Sequence, residues 1–461
     1  MLQQKNTRAT VAAAVLASAI CVPFADAQTS DILLNKLVEK GTLTLKEADD
    51  IRKETDAGFT KALQTKNGMP DWVKTMKLYG DFRGRYDHID FENTVPGAPN
   101  YDRNRYRYRL RAGVTATLKD SFEVGFRLTS GDPKTVGSDR EGDPVSGNST
   151  FQDGASKKFV YIDLAYGKWT PVSSGPWLVS ATFGKMENPL VVSDIVFDSD
   201  YTPEGLALQA SYDIMDKPDR KHTIKASGGF FALDEFNQGA NQGNDPYFLA
   251  GQLRLESKWT PKIHSSMGFT MLSLYGHSAL NTANVPDSTS GNTRGAGGLL
   301  VNNYTPLIGD AFFTYTLDSF PLYPGTFPIK LGGDYMYNPS APANNVGYSV
   351  GVTFGKAGKK GTWELSYRYK RLEADANYEE FVDSDTGAFY QAAVAARGAG
   401  AGFNAGTNLK GHVVKASYAP SDAFTLSVTY YLYDLINPAI VGGLKTQSGT
   451  GRLLVDAMWK F

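Results

Sequence analysis

Residues 105–118 read RYRYRLRAGVTATL, a run in which arginines and threonines alternate with tyrosine, leucine, valine and alanine. Successive side chains of a β-strand point to opposite faces, so this run predicts a strand with one charged face and one apolar face. Residues 77–87 repeat the pattern, with Phe82 on one face and Arg83 and Arg85 on the other. Two neighbouring segments therefore present arginines to the same side.

The same alternation recurs along the rest of the chain. Further segments that show it are 121–130, 158–169, 177–185, 205–215, 222–233, 247–259, 264–275, 306–317, 327–337, 346–355, 362–373, 409–418, 424–433 and 451–461. Many are about 10 residues long, the length that a tilted strand needs to cross a bilayer. No run of about 18 apolar residues occurs, which excludes a membrane-spanning helix. We therefore predict an all-β fold: a transmembrane antiparallel up-and-down β-barrel of about 16 strands over residues 74–461.

The connections between these segments alternate in length, which orients the strands. Short connections include 119–120, 260–263, 356–361 and 420–422, and long ones include 131–157, 276–305 and 374–408. Outer-membrane barrels place short turns in the periplasm and long loops outside. Five tryptophans fall beside the predicted short turns, where amphipathic rings collect at the membrane interface: Trp169, Trp177, Trp259, Trp363 and Trp459.

Composition agrees with a barrel and leaves one soluble alternative. The chain has 47 glycines, 25 tyrosines and 25 phenylalanines but only 41% hydrophobic residues, and its mean hydropathy is −0.31. Only alternate residues of a membrane barrel face lipid, which keeps the mean hydropathy low. The alternative is a secreted soluble sandwich or propeller, whose strands also alternate. Its second face would need another apolar layer, whereas this one is dense in arginine and carboxylates.

The N-terminus has the three parts of a secretory signal peptide, predicted as residues 1–27. Lys5 and Arg8 precede an apolar stretch, and an A-x-A cleavage site ends at Ala27. Residues 28–73 then carry apolar residues at helical spacing, which predicts a periplasmic helical lead. This lead is either a solvated, partly disordered segment or a helix pair for oligomerisation or cell-wall contact.

Several other functions find no support in the sequence. Loss of Lys5, Arg8 and Asp26 with the signal peptide takes the formal charge from −1 to −2, so no nucleic-acid partner is expected. The one cysteine, Cys21, lies in the signal peptide, so the mature chain has no disulfide. The five histidines are scattered and form neither a nucleophile-base pattern nor a zinc pattern: His88, His222, His264, His277 and His412. We expect no enzyme activity, no catalytic residue, no metal and no cofactor.

Two segments resemble outer-membrane proteins. Apolar residues occupy every second position up to Trp459 and Phe461, which is similar to the assembly signal that porins present to the barrel assembly machinery. Residues 184–205, with GKMENP at the start and TPEG at the end, resemble the putative porin family of Gram-negative bacteria. The resemblance implies a barrel in the cell outer membrane that contacts lipid and passes solutes passively. By analogy with sixteen-stranded porins it also implies a homotrimer.

The resemblance to trimeric general porins further implies an inward constriction loop near 186–204. That connection carries five carboxylates: Glu187, Asp194, Asp198, Asp200 and Glu204. Alternation places seven arginines on the lumen face of three adjacent strands: Arg83, Arg85, Arg105, Arg107, Arg109, Arg111 and Arg127. Rings of charge set ion selectivity, so we expect these residues to line the pore and to favour anions. The alternative is a solvated lumen face whose arginines pair with neighbouring carboxylates such as Asp81 and Glu123.

Taken together, the sequence predicts an outer-membrane porin: a water-filled channel for passive diffusion of small hydrophilic solutes and ions, with a weak preference for anions. The competing function is a structural or adhesive outer-membrane barrel with long surface loops and a closed pore. Stepwise single-channel currents would separate the two. A third function, a lipid-modifying or proteolytic barrel, would lose its activity when one histidine is replaced.

Overall fold

The computed structural model describes the greater part of the chain. The described residues are 53, 69–91, 101–136, 139–235, 245–281, 285, 290–386, 389–391, 401–404, 406–437, 440–441, 444–445 and 449–461. The predicted signal peptide (1–27) lies outside them. The predicted helical lead (28–73) does so too, apart from Lys53 and residues 69–73.

Sixteen long strands follow one another along the chain, close to the predicted segments. They are β1 (Val73–Phe91), β2 (Tyr101–Leu118), β3 (Phe122–Gly131), β4 (Phe159–Ser174), β5 (Trp177–Lys185), β6 (Glu204–Asp216), β7 (Lys221–Ala232), β8 (Tyr247–Thr260), β9 (Ile263–Tyr275), β10 (Leu307–Leu317), β11 (Phe327–Tyr337), β12 (Val346–Gly355), β13 (Trp363–Leu372), β14 (Leu409–Ser421), β15 (Phe424–Leu435) and β16 (Thr450–Lys460). Val73 already belongs to β1, so the barrel begins one residue before the predicted boundary.

Each strand pairs with its neighbours in the sequence, and the last strand pairs with the first. β16 runs antiparallel to β1 from Asp81 opposite Lys460 to Phe91 opposite Thr450. β1 also pairs with β2, so the sheet has no free edge at this point. The predicted closed antiparallel barrel of 16 strands is therefore confirmed.

The connections alternate in length, as predicted. Most connections from an even-numbered strand to the next are short turns, for example the 3-10 turn Lys119–Ser121. The exception is the connection between β10 and β11 (318–326), which is slightly longer than the one between β11 and β12 (338–345). The long connections at the other end carry short elements of their own: the hairpin of Pro133–Val136 with Asp139–Gly142, the hairpins Phe389–Gln391/Ala401–Asn404 and Ile440–Val441/Leu444–Lys445, the 3-10 turns His277–Ala279 and Ala296–Gly298, and the strand Ser149–Thr150, which pairs with β2. None of the helices among the described residues is long and apolar enough to cross a membrane.

The outer face of the barrel is apolar and carries aromatic rings at the turn end. Trp169 stacks on Phe122, with ring centroids 5.9 Å apart, and both side chains are exposed. Trp459 contacts Phe424 and Phe82 across the closing strands. Rings at this level suit the boundary between hydrocarbon and headgroups.

The inner face is polar on one side of the barrel and partly apolar on the other. On β9 the inward positions change from His264 and Ser266 near the short turn to the buried Leu272 and Leu274 near the long connection. Leu272 and Leu274 belong to an apolar cluster with Phe231, Phe248, Ile308, Met336 and Leu372 from neighbouring strands. The sequence analysis expected a lumen face that is polar throughout. On this side of the barrel that expectation is wrong.

The seam between β16 and β1 depends on a glycine in β1. A Cβ on Gly80 would lie 2.5 Å from the carbonyl oxygen of Arg111 and 2.5 Å from the ring of Phe461, whereas a Cβ on Gly84 would have no atom within 4 Å. We expect Gly80→Ala to lower the temperature at which the folded barrel loses its compact electrophoretic mobility, and Gly84→Ala to leave it close to the wild-type value. Equal behaviour of the two variants would contradict this account of the seam.

Candidate functional site

The seven arginines predicted to line the lumen form one group on β1, β2 and β3, which we call the arginine row: Arg83, Arg85, Arg105, Arg107, Arg109, Arg111 and Arg127. Alternation along the strands puts them on the face opposite the exposed rings. Arg85, Arg109 and Arg127 are buried although they lie on a barrel wall. Something inside the barrel must therefore cover them.

Part of that cover is the connection between β5 and β6, residues 186–203, which we call loop A. Arg254 of β8 donates to the carbonyl oxygen of Val191 at 2.7 Å. Asp194 pairs with Arg368 of β13 at 2.7 Å, and Asp200 pairs with Arg109 of β2 at 2.7 Å. Since β2, β8 and β13 lie far apart around the barrel, these three contacts carry loop A across its interior.

Loop A is also held by apolar packing. Ile195, Val196 and Phe197 are buried in the apolar cluster of the inner face. The ring of Phe197 lies 5.8 Å from that of Phe248 on β8. Burial of three large side chains contributes several kcal/mol to keeping the loop inside, at roughly 1.5–3 kcal/mol each.

A second segment inside the barrel, residues 373–386, was not anticipated; we call it loop B. The sequence analysis treated 374–408 as one outer loop, but Phe381 packs on Phe197 with ring centroids 5.0 Å apart. Asp385 pairs with Arg85 at 2.8 Å and lies 3.4 Å from Arg452 of β16. Loop B thus places a carboxylate against the arginine row, which is the position that the sequence analysis had assigned to loop A alone.

Loop B is anchored on its other side by the connection between β9 and β10. Arg294 donates to Glu379 through Nε at 2.8 Å, and both side chains are fully buried. Asp375 accepts a hydrogen bond from Tyr304 at 3.0 Å. Breaking one partner of a buried ion pair is strongly destabilising, so this anchor fixes where loop B can lie.

The two loops carry the same Asp-Ser-Asp sequence, at 198–200 and 383–385, and use it in the same way. The first carboxylate of each accepts the backbone N–H of the second aspartate: Asp198 from Asp200 at 2.8 Å and Asp383 from Asp385 at 2.9 Å. The second aspartate then points to the arginine row. Asp198 also accepts the N–H of Ser384 at 3.0 Å, which joins the two turns.

The pKa values of the two positions move in opposite directions. Burial, followed by the charges of Asp383 and Asp200, raises the pKa of Asp198. Burial raises the pKa of Asp383 to about 6, against the attraction of Lys370. Burial also opposes ionisation of Asp200 and Asp385, but the arginines around each outweigh it and lower the pKa of both carboxyls. Each turn therefore has a firmly charged end at the arginines and an end whose carboxyl pKa is raised.

Most of the arginine row has carboxylate partners. Arg105 pairs with Asp87, Arg109 with Asp81 and Asp200, Arg111 with Asp81, and Arg127 with Asp163 and Glu187. This pairing corresponds in part to the expected alternative, although Glu123 accepts from Tyr166 rather than from an arginine. Arg83 and Arg107 have no carboxylate within ion-pair distance among the described residues.

The remaining predicted carboxylates lie elsewhere. Asp194 pairs with Arg368 and Lys370 of β13 rather than with the arginine row. Glu204 is the first residue of β6, has an exposed side chain and pairs with Lys185 at 2.9 Å. No group of three or more His, Cys, Asp or Glu side chains in the described part of the chain is placed to hold a metal ion.

Two cavities lie on either side of loop A. One of about 1110 Å³ opens toward the long connections and is lined by Arg109, Arg111 and Asp200. The other, of about 740 Å³, lies toward the short turns under Val191, and its lining includes Arg254. We call the second cavity the lower chamber.

Comparison with known families gives one match. A family model described as "Putative porin" matches residues 96–289. The predicted resemblance is thereby confirmed over that range, which includes loop A. The match supports an outer-membrane channel rather than an enzyme. No curated protein matches the chain.

Solved barrels align with most of the chain at low identity. OprB of Pseudomonas putida is 11% identical, with 88% of this chain and 97% of that chain covered and a TM-score of 0.47. OmpF of Salmonella typhi, in a complex with daunomycin, is 11% identical over 85% and 98%, with a TM-score of 0.42. The outer membrane channel DcaP of Acinetobacter baumannii is 13% identical over 84% and 97%, with a TM-score of 0.39.

The raised pKa of Asp383 gives a prediction for stability. The folded pKa of about 6 lies above the ordinary value of 3.8, so the folded chain binds more protons between these values and gains stability as the pH falls from about 6 to about 4. In Asp383→Asn the side chain at this position is uncharged at every pH. We expect it to stabilise the detergent-solubilised protein at pH 7.5, by at most about 3 kcal/mol at 1.4 kcal/mol per pKa unit, and to flatten this part of the pH profile.

Thermal unfolding between pH 4 and 8 measures the effect. Asp219→Asn, at an exposed turn residue, serves as the control and should leave the profile unchanged. A variant D383N that is less stable than the wild type at pH 7.5 would show that the pairing with Lys370 outweighs burial and repulsion.

Proposed function

We propose that this protein is an outer-membrane porin that lets small hydrophilic solutes and ions diffuse passively through a narrowed, water-filled interior, with a preference for anions. The family match supports a channel, and the proposal adds the class of solute that passes through it. It includes a homotrimer in contact with membrane lipid and the barrel assembly machinery, with Trp459 and Phe461 as the assembly signal.

The observation that carries the anion preference is the charge balance of the arginine row. Five arginines of β1, β2 and β16 share five carboxylates within ion-pair distance: Arg85, Arg105, Arg109, Arg111 and Arg452, with Asp81, Asp87, Asp200, Asp385 and Asp456. Arg83 and Arg107 on the same wall have no carboxylate within that distance among the described residues. Guanidinium groups stay charged at any physiological pH. The surplus leaves a positive potential on this part of the wall.

Arg83 and Arg107 supply that surplus. Arg83 donates to the amide oxygen of Asn148 at 2.8 Å, a neutral partner. The Nε atom of Arg107 is buried and has no hydrogen-bond partner among the described residues. A passing carboxylate, phosphate or chloride would compensate these charges, whereas a cation would be repelled.

The second candidate is the structural or adhesive barrel with a closed pore. Its supporting observation is the packing of loops A and B inside the barrel, where Phe197, Phe248 and Phe381 contact one another. A stack of rings in the lumen narrows any path for water. Stepwise currents from the purified protein in a planar bilayer support the porin, and their absence in folded protein supports the second candidate.

The selectivity test replaces the two arginines that lack carboxylates. In a salt gradient we expect Arg83→Gln with Arg107→Gln to shift the reversal potential toward cations. The anion-to-cation permeability ratio should fall by about 4- to 16-fold per charge, because the anion loses and the cation gains about 2- to 4-fold each. The estimate takes a unit charge about 10 Å from the ion path at an effective permittivity of about 40–80.

The matched control removes two positive charges outside the lumen, with Lys119→Gln and Lys359→Gln at the short turns. It should leave the reversal potential close to the wild-type value. If the arginine double variant behaves like this control, the arginine row does not determine selectivity.

A further inference from the structure

The lower chamber has a recess in its wall on β10 to β13. Two glycines, Gly332 of β11 and Gly351 of β12, lie directly opposite each other in the sheet. Phe312 of β10 pairs with Gly332 on one side, and Arg368 of β13 pairs with Gly351 on the other. The two middle positions lack side chains, so the wall is recessed there, and the flanking side chains narrow the recess. A Cβ on Gly332 would lie 2.5 Å from the ring of Phe312, and one on Gly351 would lie 3.1 Å from Cγ of Arg368.

A row of hydrogen-bonding side chains borders this recess toward the short turns. Thr314 of β10 lies opposite Lys330 of β11, Lys330 opposite Thr353 of β12, and Thr353 opposite Ser366 of β13. Directly opposed side chains lie about 5 Å apart at Cβ, so the four can contact one small molecule. All four line the chamber.

Lys330 differs from the two arginines of the chamber. Its Nζ atom lies 4.2 Å from the centre of the Phe312 ring, and it has no carboxylate within ion-pair distance among the residues that the structure describes. Arg254 is paired with Asp310, and Arg368 with Asp194 and Asp334. A cation–π contact holds the ammonium in place without cancelling its charge.

We propose that this recess is a binding subsite for a small polyhydroxylated anion, whose carboxylate or phosphate contacts Lys330 while its hydroxyls bind Thr314, Thr353 and Ser366. An ammonium group supplies up to three donors, and each hydroxyl both donates and accepts. The subsite rests on the proposed function, because its ligand must reach the chamber through the barrel. It lies on the short-turn side of loop A and differs from the arginine row in position and in composition.

The test measures binding separately from transport. Calorimetric titration of the detergent-solubilised full chain uses three probes of similar size: D-gluconate, glucose 6-phosphate and the neutral polyol sorbitol. We expect at least one of the two anions to bind at least 5-fold more tightly than sorbitol, and the preferred anion identifies the acid group. Comparable affinity for sorbitol, or no binding of either anion, overturns the subsite.

Substitutions locate the binding. Lys330→Gln should weaken binding of the preferred anion at least 5-fold, and the isosteric Thr353→Val about 2- to 5-fold. Lys225→Gln is the matched control, since Lys225 is an inward lysine that is already paired, with Glu256 at 2.7 Å; it should change affinity less than 2-fold. Equal losses in K330Q and K225Q would indicate long-range charge alone and overturn the site.

Conductance in planar bilayers separates this proposal from the proposed function. If the protein gives no stepwise currents but binds an anion in a way that depends on Lys330, the subsite is supported and the open channel is contradicted. If the protein gives stepwise currents but K330Q binds the anion as tightly as the wild type, the channel is supported and the subsite is contradicted. Circular dichroism of each variant, compared with the wild type, confirms that the barrel is folded.

Discussion

A strand that crosses hydrocarbon must find every backbone hydrogen-bond partner within the protein, because the lipid offers none. The pairing of β16 with β1 meets this requirement, and its last bonds join the backbones of Gly80 and Phe461 at 2.9 and 3.1 Å. The charges of the interior depend on the same seam. Asp456 reaches Arg85 and Arg452 reaches Asp87 only across it, so these two ion pairs exist only in the closed barrel.

Carboxylates from the loops join those of the wall in organising the interior. Asp200 and Asp385 each insert between arginines whose mutual repulsion would otherwise be large. Removing such charges from water is costly, and the pairs persist because several hydrogen bonds satisfy each carboxylate. The wall and the loops therefore stabilise one another, and the positive charge left over is confined to a few positions.

The strands could be predicted from the sequence, whereas the paths of the loops could not. A period of two is a local property, so segments such as 205–215 match β6 (Glu204–Asp216) almost to the residue. The inward course of loop B depends on contacts with residues far away in the chain, such as Arg85 and Arg294. No local pattern encodes those contacts.

Two signals for loop B were nevertheless present in the sequence. Leu272 and Leu274 interrupt the polar inward positions of β9, which indicates that something apolar covers that end of the lumen. The Asp-Ser-Asp sequence of loop A also recurs at 383–385. The sequence analysis gave weight to the charges of the first copy alone and did not compare the two.

The hydrogen bond from Ser384 to Asp198 makes the two turns a single mechanical unit. Ser384 is adjacent to Asp385 and Asp198 lies two residues before Asp200, so this bond links the two carboxylates that face arginines on different strands. Energetic coupling is therefore built in between aspartates that share no common partner, and the free-energy effects of replacing both should not add.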